Sequence, residues 1–282
     1  MRLQIDAVSP HPVNIPFNYQ NQLRIALSVL LKRAFQEYAE CEASISARML
    51  RYLIASCRLF TFSRLSFVPV NRTAAGFANV RRIRFLFVAP AHSDCEALLT
   101  CVFGQRIIFL TFDNVSSGFG VVQVQRLPEP VFTANTHGIC LSPITLVDRR
   151  YYSNRKEIFH YLDYTINEER EQFCRKLRDN LTHKFFLVNR YRPNFQEEFD
   201  FSFDPEYIKR REGRISKLIH LENGQKIKAF EAPFDLRADP ALIRTAYECG
   251  LGDRTCDGFG CVEYLNAGGS ACGDGQPIDL IP

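Results

Sequence analysis

The sequence predicts an α+β protein of two tandem ferredoxin-like (RRM-like) domains, each an antiparallel sheet with helices on one face. Two observations lead to this prediction. Each half of the chain shows apolar patterns in the order β-α-β-β-α-β, and paired prolines within 127–130 mark a linker between the halves. We therefore place an N-terminal domain at 1–126 and a C-terminal domain at 127–265.

The N-terminal half begins with a strand, because Leu3, Ile5 and Ala7 alternate with polar residues. A proline-marked loop over 10–16 follows, and apolar residues then recur at helical spacing over 23–34. A second helical stretch near 43–57 reads as an insertion. The remaining predicted elements are strands over 58–67 and 81–89, a helix over 93–103 and a strand over 106–112.

The C-terminal half repeats this order. Asn223-Gly224 is a strong turn signal and predicts a hairpin, and Asp239 followed by Pro240 predicts the start of a helix. We expect a flexible tail over 266–282, because it has little core material. The predicted elements are extended segments over 131–146, a helix over 167–187, a strand over 199–203, hairpin strands over 207–221 and 226–236, a helix over 240–247 and a strand over 261–265.

The composition excludes several classes of protein. With 46% apolar and 23% charged residues the chain is not disordered, and no apolar run approaches the about 18 residues of a membrane span. The start of the chain does not resemble a signal peptide, so we expect a cytoplasmic protein without a membrane partner. The ten cysteines show no zinc-knuckle spacing and read as buried thiols. We predict no metal and no cofactor.

Positive charge is concentrated in the N-terminal half. Residues 1–126 contain 14 Lys and Arg against 7 Asp and Glu, whereas residues 127–282 contain 21 against 24. Arginine outnumbers lysine 27 to 8, and guanidinium groups bind phosphates and stack on bases. The charge therefore favours a nucleic-acid ligand, and solvated surface arginines are the alternative.

The strongest local motif is CGLGDRTCDGFG, residues 249–260. Its glycines permit positive φ and close backbone approach, so the loop can present N–H groups to a phosphate, with Arg254 adding charge. The preceding helix ends here, and the negative end of its dipole opposes an anion. A tight turn that only closes the domain is the alternative. The candidate RNA-binding residues of the loop are Gly250, Gly252, Arg254, Gly258 and Gly260.

The spacing of these glycines resembles the C-terminal signature of the CRISPR repeat-processing endoribonucleases of the RAMP superfamily, the Cas-six family. The resemblance covers about residues 1–265. It implies tandem ferredoxin-like domains and precursor CRISPR RNA as the partner. Other Cas effector subunits are further candidate partners, and monomer and homodimer both stay open. The other matching segments are LRADPALIRTAYECGLG, CVEYL, IPFNYQNQL, RLFTFS and LSPI.

The resemblance also implies a reaction without metal, in which a 2′-hydroxyl attacks the adjacent phosphate and leaves a 2′,3′-cyclic phosphate. The family's histidine follows the first helix, but no histidine lies between Phe35 and Arg58 here. Arg58 stands where the family has a lysine. We take Lys32, Tyr38 and Arg58 as candidate catalytic residues, with Lys32 or Tyr38 as the base because arginine stays protonated. A non-cleaving repeat binder and a structural RAMP subunit are the alternatives.

A second basic segment lies in the C-terminal domain. If its residues form one strand, Lys209, Arg211 and Lys217 share a face that could position RNA phosphates. A solvated hairpin face is the alternative. The candidate RNA-binding residues are Lys209, Arg210, Arg211, Arg214 and Lys217, with Lys226 and Lys228 across the turn, and the candidate base-stacking residues are Tyr151, Tyr152 and Tyr191.

Overall fold

The computed structural model describes residues 1–39, 48–49, 51–90, 99–100, 102–104, 106–154, 156–191, 198–221 and 224–265. Within these ranges the chain forms one antiparallel sheet in each half, and two separate β-hairpins. The predicted α+β fold of tandem ferredoxin-like domains is confirmed. The predicted tail over 266–282 lies outside the described residues.

The N-terminal sheet is covered on one face by helix α1, Gln20–Ala39, whose predicted apolar face is buried. The strand order is β2-β4-β1-β6-β5, and β3 also pairs with β4. Residues 48, 49 and 51 of the predicted insertion are helical and lead into a π-helical turn, Tyr52–Ser56. The strands are β1 Arg2–Pro16, β2 Thr61–Phe62, β3 Ser66–Val68, β4 Gly76–Val88, β5 Ile107–Phe112 and β6 Val115–Arg126.

Strand β1 is longer than predicted, because the proline-marked segment 10–16 continues it. Its pairing with β6 ends at Val8, and its register with β4 shifts between Val8 and Val13. Prolines are tolerated at such irregular positions, where a ladder N–H is not needed. The prediction of a loop here was therefore wrong.

The C-terminal sheet has the strand order β10-β13-β7-β14. Numbered within this sheet the order is 2-3-1-4, which is the ferredoxin-like order. The helices are α2 Asn167–Asn189, α3 Pro205–Arg210 and α4 Pro240–Cys249. The strands are β7 Asn135–Cys140, β8 Val147–Ser153, β9 Lys156–Tyr161, β10 Asp200–Phe203, β11 Ser216–His220, β12 Lys226–Phe230, β13 Phe234–Arg237 and β14 Val262–Tyr264.

Two hairpins, β8–β9 and β11–β12, stand apart from this sheet. The sequence predicted the second hairpin, and Gly224 has the positive φ of +78° that its turn requires. Strands β6, β8 and β9 were not predicted. The two hairpins pack together through Tyr161, Ile219 and Ile227, which share a small apolar cluster with Phe259 of the glycine-rich loop. The hairpins are therefore placed beside that loop.

The protein has two main apolar cores. One gathers residues between Met1 and Phe119, and the other residues between Cys140 and Tyr264. The predicted domain boundary at 126/127 lies between these stretches. Of the six cysteines among the described residues, three are buried and three are partly exposed, and all six are free thiols. None of the helices in the described part of the chain has the length and apolarity of a membrane span.

Candidate functional site

The glycine-rich loop, residues 250–260, connects α4 to β14. Its four glycines all have positive φ, between +69° and +87°. A Cβ on Gly260 would lie 1.9 Å from the carbonyl oxygen of Leu251, and one on Gly252 would lie 2.5 Å from that of Thr145. Only glycine fits these positions. As predicted, Gly250 ends the preceding helix as its C-cap.

The four glycines of the loop are buried, so their predicted role in RNA contact needs correction. They were expected to let an RNA backbone approach, but protein atoms fill the space beside them. The N–H groups of Gly250, Gly258 and Gly260 donate to the carbonyl oxygens of other residues of the chain. These glycines therefore shape and pack the loop. That the loop binds RNA stays a prediction, carried by its side chains.

The loop packs against the N-terminal domain. A Cβ on Gly258 would lie 2.4 Å from the ring of Phe62, and the amide of Gln20 donates to the carbonyl of Gly258. The hydroxyl of Thr61 donates to the carbonyl of Phe259 at 2.8 Å. We call this contact between α1, β2 and the glycine-rich loop the seam. Because the loop fits it through backbone atoms, the glycine pattern determines how the domains meet.

Arg254 is the loop's basic residue at the seam. Its backbone is left-handed, with φ of +58°. Its Nε donates to Asp257 at 2.9 Å, and its Nη1 donates to the Tyr161 hydroxyl at 3.0 Å and to Gln225 Oε1 at 3.1 Å. Burial raises the pKa of Tyr161, although Arg254 opposes the shift. The guanidinium is therefore held in one orientation, with 21% of the side chain exposed.

Arg24 approaches the same carboxylate from α1. Its Nε lies 3.7 Å from Oδ1 of Asp257, and its guanidinium also donates to Asn21 one turn earlier. The sequence analysis did not single out Arg24. The available signal was its position four residues after Gln20, which places both side chains on the α1 face that meets the loop.

Arg58, predicted as a catalytic residue, lies just before β2 in a left-handed conformation with φ of +54°. Its side chain is exposed. Burial raises the pKa of the Cys256 thiol to about 11 and Asp257 adds to this, whereas Arg58, Arg24 and Arg254 all oppose it. Arg58 stands three residues before Thr61, whose hydroxyl donates to the loop, so the chain itself places the Arg58 backbone near the seam, as it does Arg24 and Arg254. We call Arg24, Arg58 and Arg254 the arginine cluster.

The other two predicted catalytic residues lie on α1. Lys32 is exposed and lies eight residues, or about 12 Å, beyond Arg24 along the helix. Tyr38 lies in the last turn, and its side chain is outside the described residues. Arg58 therefore lies close to the seam along the chain. Lys32 lies on α1, farther from the seam than Arg24.

The second basic segment is not the single strand that was predicted. Lys209 and Arg210 belong to α3, Arg211 is its C-cap, and only Lys217 lies in a strand. The helix forms because the Asp204 carboxylate accepts from two N–H groups of its first turn and Pro205 stands at its first position. The expectation that Lys209, Arg211 and Lys217 line one side of a strand was therefore wrong.

The remaining members of this segment are on the surface. Arg214 is exposed and paired with Glu212, and Lys228 is paired with Asp163. Among the predicted stacking residues, Tyr152 and Tyr191 are exposed, whereas the side chain of Tyr151 is outside the described residues. The described residues contain no group of three His, Cys, Asp or Glu side chains that could hold a metal ion. RNA binding by this segment stays a prediction.

Lys184 is a buried residue that the sequence analysis missed. From α2 its ammonium donates to the carbonyls of Gly250 at 2.8 Å and Gly252 at 2.6 Å. Burial lowers its pKa to about 8. One turn earlier, the amide of Asn180 donates to the Asp253 carboxylate at 2.8 Å. Together these two side chains fix the first half of the glycine-rich loop.

Two ferredoxin-like sheets meet at a glycine-rich loop, and solved structures share this fold over nearly the whole chain. A structure described as CRISPR associated protein Cas6 has a TM-score of 0.68 at 20% identity, covering 94% of this chain and 99% of that one. A Cas6-related protein from Pyrococcus furiosus has the same TM-score at 15% identity, covering 95% and 99%. An RAMP protein described as binding different RNA substrates also scores 0.68, at 16% identity, covering 94% and 100%.

Sequence comparison points to the same family. Residues 127–264 match the family described as CRISPR associated protein Cas6, C-terminal. The CRISPR-associated endoribonuclease Cas6 1 of Methanocaldococcus jannaschii is 29% identical over 264 residues, which cover 93% of this chain and 92% of that protein. The resemblance to the Cas6 family that the sequence predicted is confirmed.

Proposed function

We propose that this protein binds CRISPR repeat RNA along the seam and cuts it as a metal-independent endoribonuclease. One observation carries the proposal. Guanidinium groups from both domains converge on the glycine-rich loop, where Arg24 and Arg254 already hold a carboxylate. Such groups bind a phosphate in the same way. The name of the Methanocaldococcus relative, an endoribonuclease, supports the reaction class.

In the proposed reaction the 2′-oxygen of one nucleotide forms a bond to the adjacent phosphorus, and the bond from phosphorus to the 5′-oxygen breaks. The 2′-hydroxyl loses its proton to a base, and the leaving 5′-oxygen gains one. The products are a 2′,3′-cyclic phosphate and a 5′-hydroxyl. Arg58 stabilises the negative charge that builds on the phosphate, and Lys32 or Tyr38 on α1 serves as the base.

A second candidate function is repeat binding without cleavage. The cations of the arginine cluster cannot accept a proton, because arginine stays protonated in proteins. Cys256 lies beside them, but its pKa is raised to about 11, so the thiol is not a base at neutral pH. A structural RAMP subunit of a CRISPR effector complex is a variant of this function. It would copurify with other Cas proteins and bind free repeat RNA weakly.

The experiment is cleavage of labelled precursor repeat RNA in EDTA, with analysis of the product ends. We expect one discrete product that carries a 2′,3′-cyclic phosphate. Arg58→Ala should slow cleavage by about 100-fold, the effect of losing one charge-stabilising group, and weaken binding far less. Lys32→Ala should abolish cleavage if Lys32 is the base. Arg175→Gln on α2, where the side chain is largely exposed, is the matched control.

Binding of the same RNA tests the seam itself. We expect Arg24→Gln and Arg254→Gln each to weaken binding about threefold to fivefold, as for a partly exposed charge pair. Unchanged affinity in both variants would contradict binding at the seam. Tight repeat-specific binding without any product would favour the non-cleaving function.

A further inference from the structure

Asp257 places a carboxylate within the arginine cluster. Its Oδ2 accepts from Nε of Arg254 at 2.9 Å, and its Oδ1 lies 3.7 Å from Nε of Arg24. Its side chain is 18% exposed, so the pair meets solvent at the protein surface. Cys256 precedes Asp257 in the loop. Burial raises the pKa of the Cys256 thiol, and the positive charge of Arg58 opposes this shift. The carboxylate therefore occupies a cationic site of the kind that a phosphate would fill.

Arg254 does not depend on Asp257 for its orientation. Its Nη1 donates to the Tyr161 hydroxyl at 3.0 Å and to Gln225 Oε1 at 3.1 Å, on the side of the guanidinium away from the Nε contact. These two partners belong to the neighbouring hairpins, not to the loop. If the carboxylate withdrew, Arg254 would keep its place and its Nε would be free to donate to another anion.

Arg24 is held independently as well. Its Nε and Nη2 donate to Oδ1 of Asn21 at 3.1 Å and 2.9 Å, one turn earlier on α1. Its contact with Asp257 is longer than a hydrogen bond and is only electrostatic. Withdrawal of the carboxylate would therefore leave this guanidinium in position too.

We propose that Asp257 occupies the phosphate position of the free protein, and that a bound RNA phosphate displaces its carboxylate from Arg254 and Arg24. This inference rests on the proposed function, because it takes RNA as the ligand of the arginine cluster. Carboxylate and phosphate pair with guanidinium in the same planar geometry, so they compete. Asp257 therefore weakens binding of any RNA. Only RNA strands that make further contacts at the seam then bind tightly. Asp257 is therefore a specificity-determining residue.

The test compares Asp257→Asn with Asp113→Asn. Both substitutions remove one negative charge, and Asp113 lies at the β5–β6 turn with the positive φ of +49° that asparagine also tolerates. Binding of labelled repeat RNA, and of a scrambled RNA of equal length, is measured over a range of salt concentrations. Asp257→Ser is a second variant, and thermal unfolding confirms that each variant is folded.

For Asp257→Asn we expect repeat RNA to bind about threefold to fivefold tighter at low salt. Because the variant carries one more net positive charge at the same phosphate contact, the slope of log affinity against log salt should steepen, by at most about 0.7, the value for one neutralised phosphate on a single strand. Scrambled RNA should gain at least as much, and Asp113→Asn should leave the slope unchanged. Weaker or unchanged binding by folded Asp257→Asn and Asp257→Ser would overturn the proposal. Failure of the wild type to bind repeat RNA at any salt would instead contradict the proposed function.

Discussion

Lys184 carries an amine in the core of the C-terminal domain, where burial lowers its pKa to about 8. Its two hydrogen-bond acceptors are the carbonyls of Gly250 and Gly252, which are neutral. A neutral amine has two N–H donors and can serve both carbonyls. The residue can therefore hold the glycine-rich loop without its charge.

The first prediction concerns the pH dependence of stability. In the unfolded chain Lys184 has its ordinary pKa of 10.5, so between pH 8 and 10.5 the unfolded state binds more protons than the folded state. The free energy of unfolding of the wild type should therefore rise with pH relative to that of Lys184→Met, by about 2 kcal/mol from pH 8 to pH 10.

Denaturant unfolding of both proteins at a series of pH values measures this difference. The comparison must be between the two proteins, because buried thiols such as Cys140 have pKa values raised to about 12 and lower the stability of both as pH rises above 9. A difference that stays constant across this range would show that Lys184 is charged throughout.

Part of this arrangement was visible in the sequence. Lys184 comes three residues after Leu181, within the helical stripe that predicted α2, so its burial follows from the helix periodicity. The hydrogen-bond partners of Lys184 do not follow from the helix periodicity, because they are backbone carbonyls of a loop that is distant in the sequence. The pattern of side chains carries no signal for them.

At the scale of elements, two glycines with similar backbones have different surroundings. Gly224 in the β11–β12 turn has φ of +78°, and among the described residues no heavy atom beyond its chain neighbours lies within 4 Å of an added Cβ. Gly258 in the glycine-rich loop has φ of +87°, and its added Cβ would lie 2.4 Å from the Phe62 ring. The first position needs glycine only for its backbone, whereas the second also needs the space.

The second prediction compares these positions. Gly224→Ala should lower the free energy of unfolding by about 1 kcal/mol, the effect of a left-handed backbone on an L-residue. Gly258→Ala should lower it by about 3 kcal/mol, since overpacking at the seam adds to the same strain. Thermal or denaturant unfolding measures both losses. Equal losses of stability would mean that the Phe62 ring moves aside at little cost in free energy. The loop would then not be tightly packed at the seam.

Helix α3 shows why some elements were missed. Asp204-Pro205 and Asp239-Pro240 are the same helix-start signal, and the structure confirms both caps. Only the second was interpreted as a helix start, because the strong turn signal at Gly224 favoured a long strand over the preceding segment. Strand β6 was missed because its register is broken opposite Asp6 and Ala7, which interrupts its alternation.

At the scale of the whole molecule, two arginines join the domains in different surroundings. Arg2 is 1% exposed, donates to Glu263 and Val262, and lies 3.4 Å from the centroid of the Tyr247 ring. Arg64 pairs with Glu231 and has 43% of its side chain exposed. Removal of Arg2 would take a fully buried side chain away from the Tyr247 ring and from the buried carbonyl of Val262, whereas the Arg64 guanidinium is exposed and water can replace it beside Glu231.

The third prediction follows from this contrast. Arg2→Ala should lower the free energy of unfolding by about 3 kcal/mol, because a fully buried side chain is lost from the Tyr247 ring and the buried carbonyl of Val262 loses its side-chain donor. Arg64→Ala should lower it by about 1 kcal/mol, the upper end for a surface pair, because the contact is bidentate but the arginine is exposed. Denaturant unfolding followed by two probes, one for each domain, measures the losses. Similar values for the two variants would contradict the assigned role of Arg2.

The tandem fold was predictable, since it rests on periodicity and turn residues that act locally. The arginine cluster was only partly predictable. Arg58 and Arg254 were found through the family resemblance and the glycine motif. Arg24 and Asp257 were not found, because their role depends on a contact between the two domains. A local sequence pattern does not predict such a contact.

The seam also determines what a fragment of this protein can do. Arg24 and Arg58 come from the N-terminal half, and Arg254 with its glycines comes from the other. A C-terminal fragment would keep the most recognisable stretch of the sequence but only one of the three guanidinium groups. Recovery of the proposed RNA binding on mixing the two halves would therefore require that the seam reassembles.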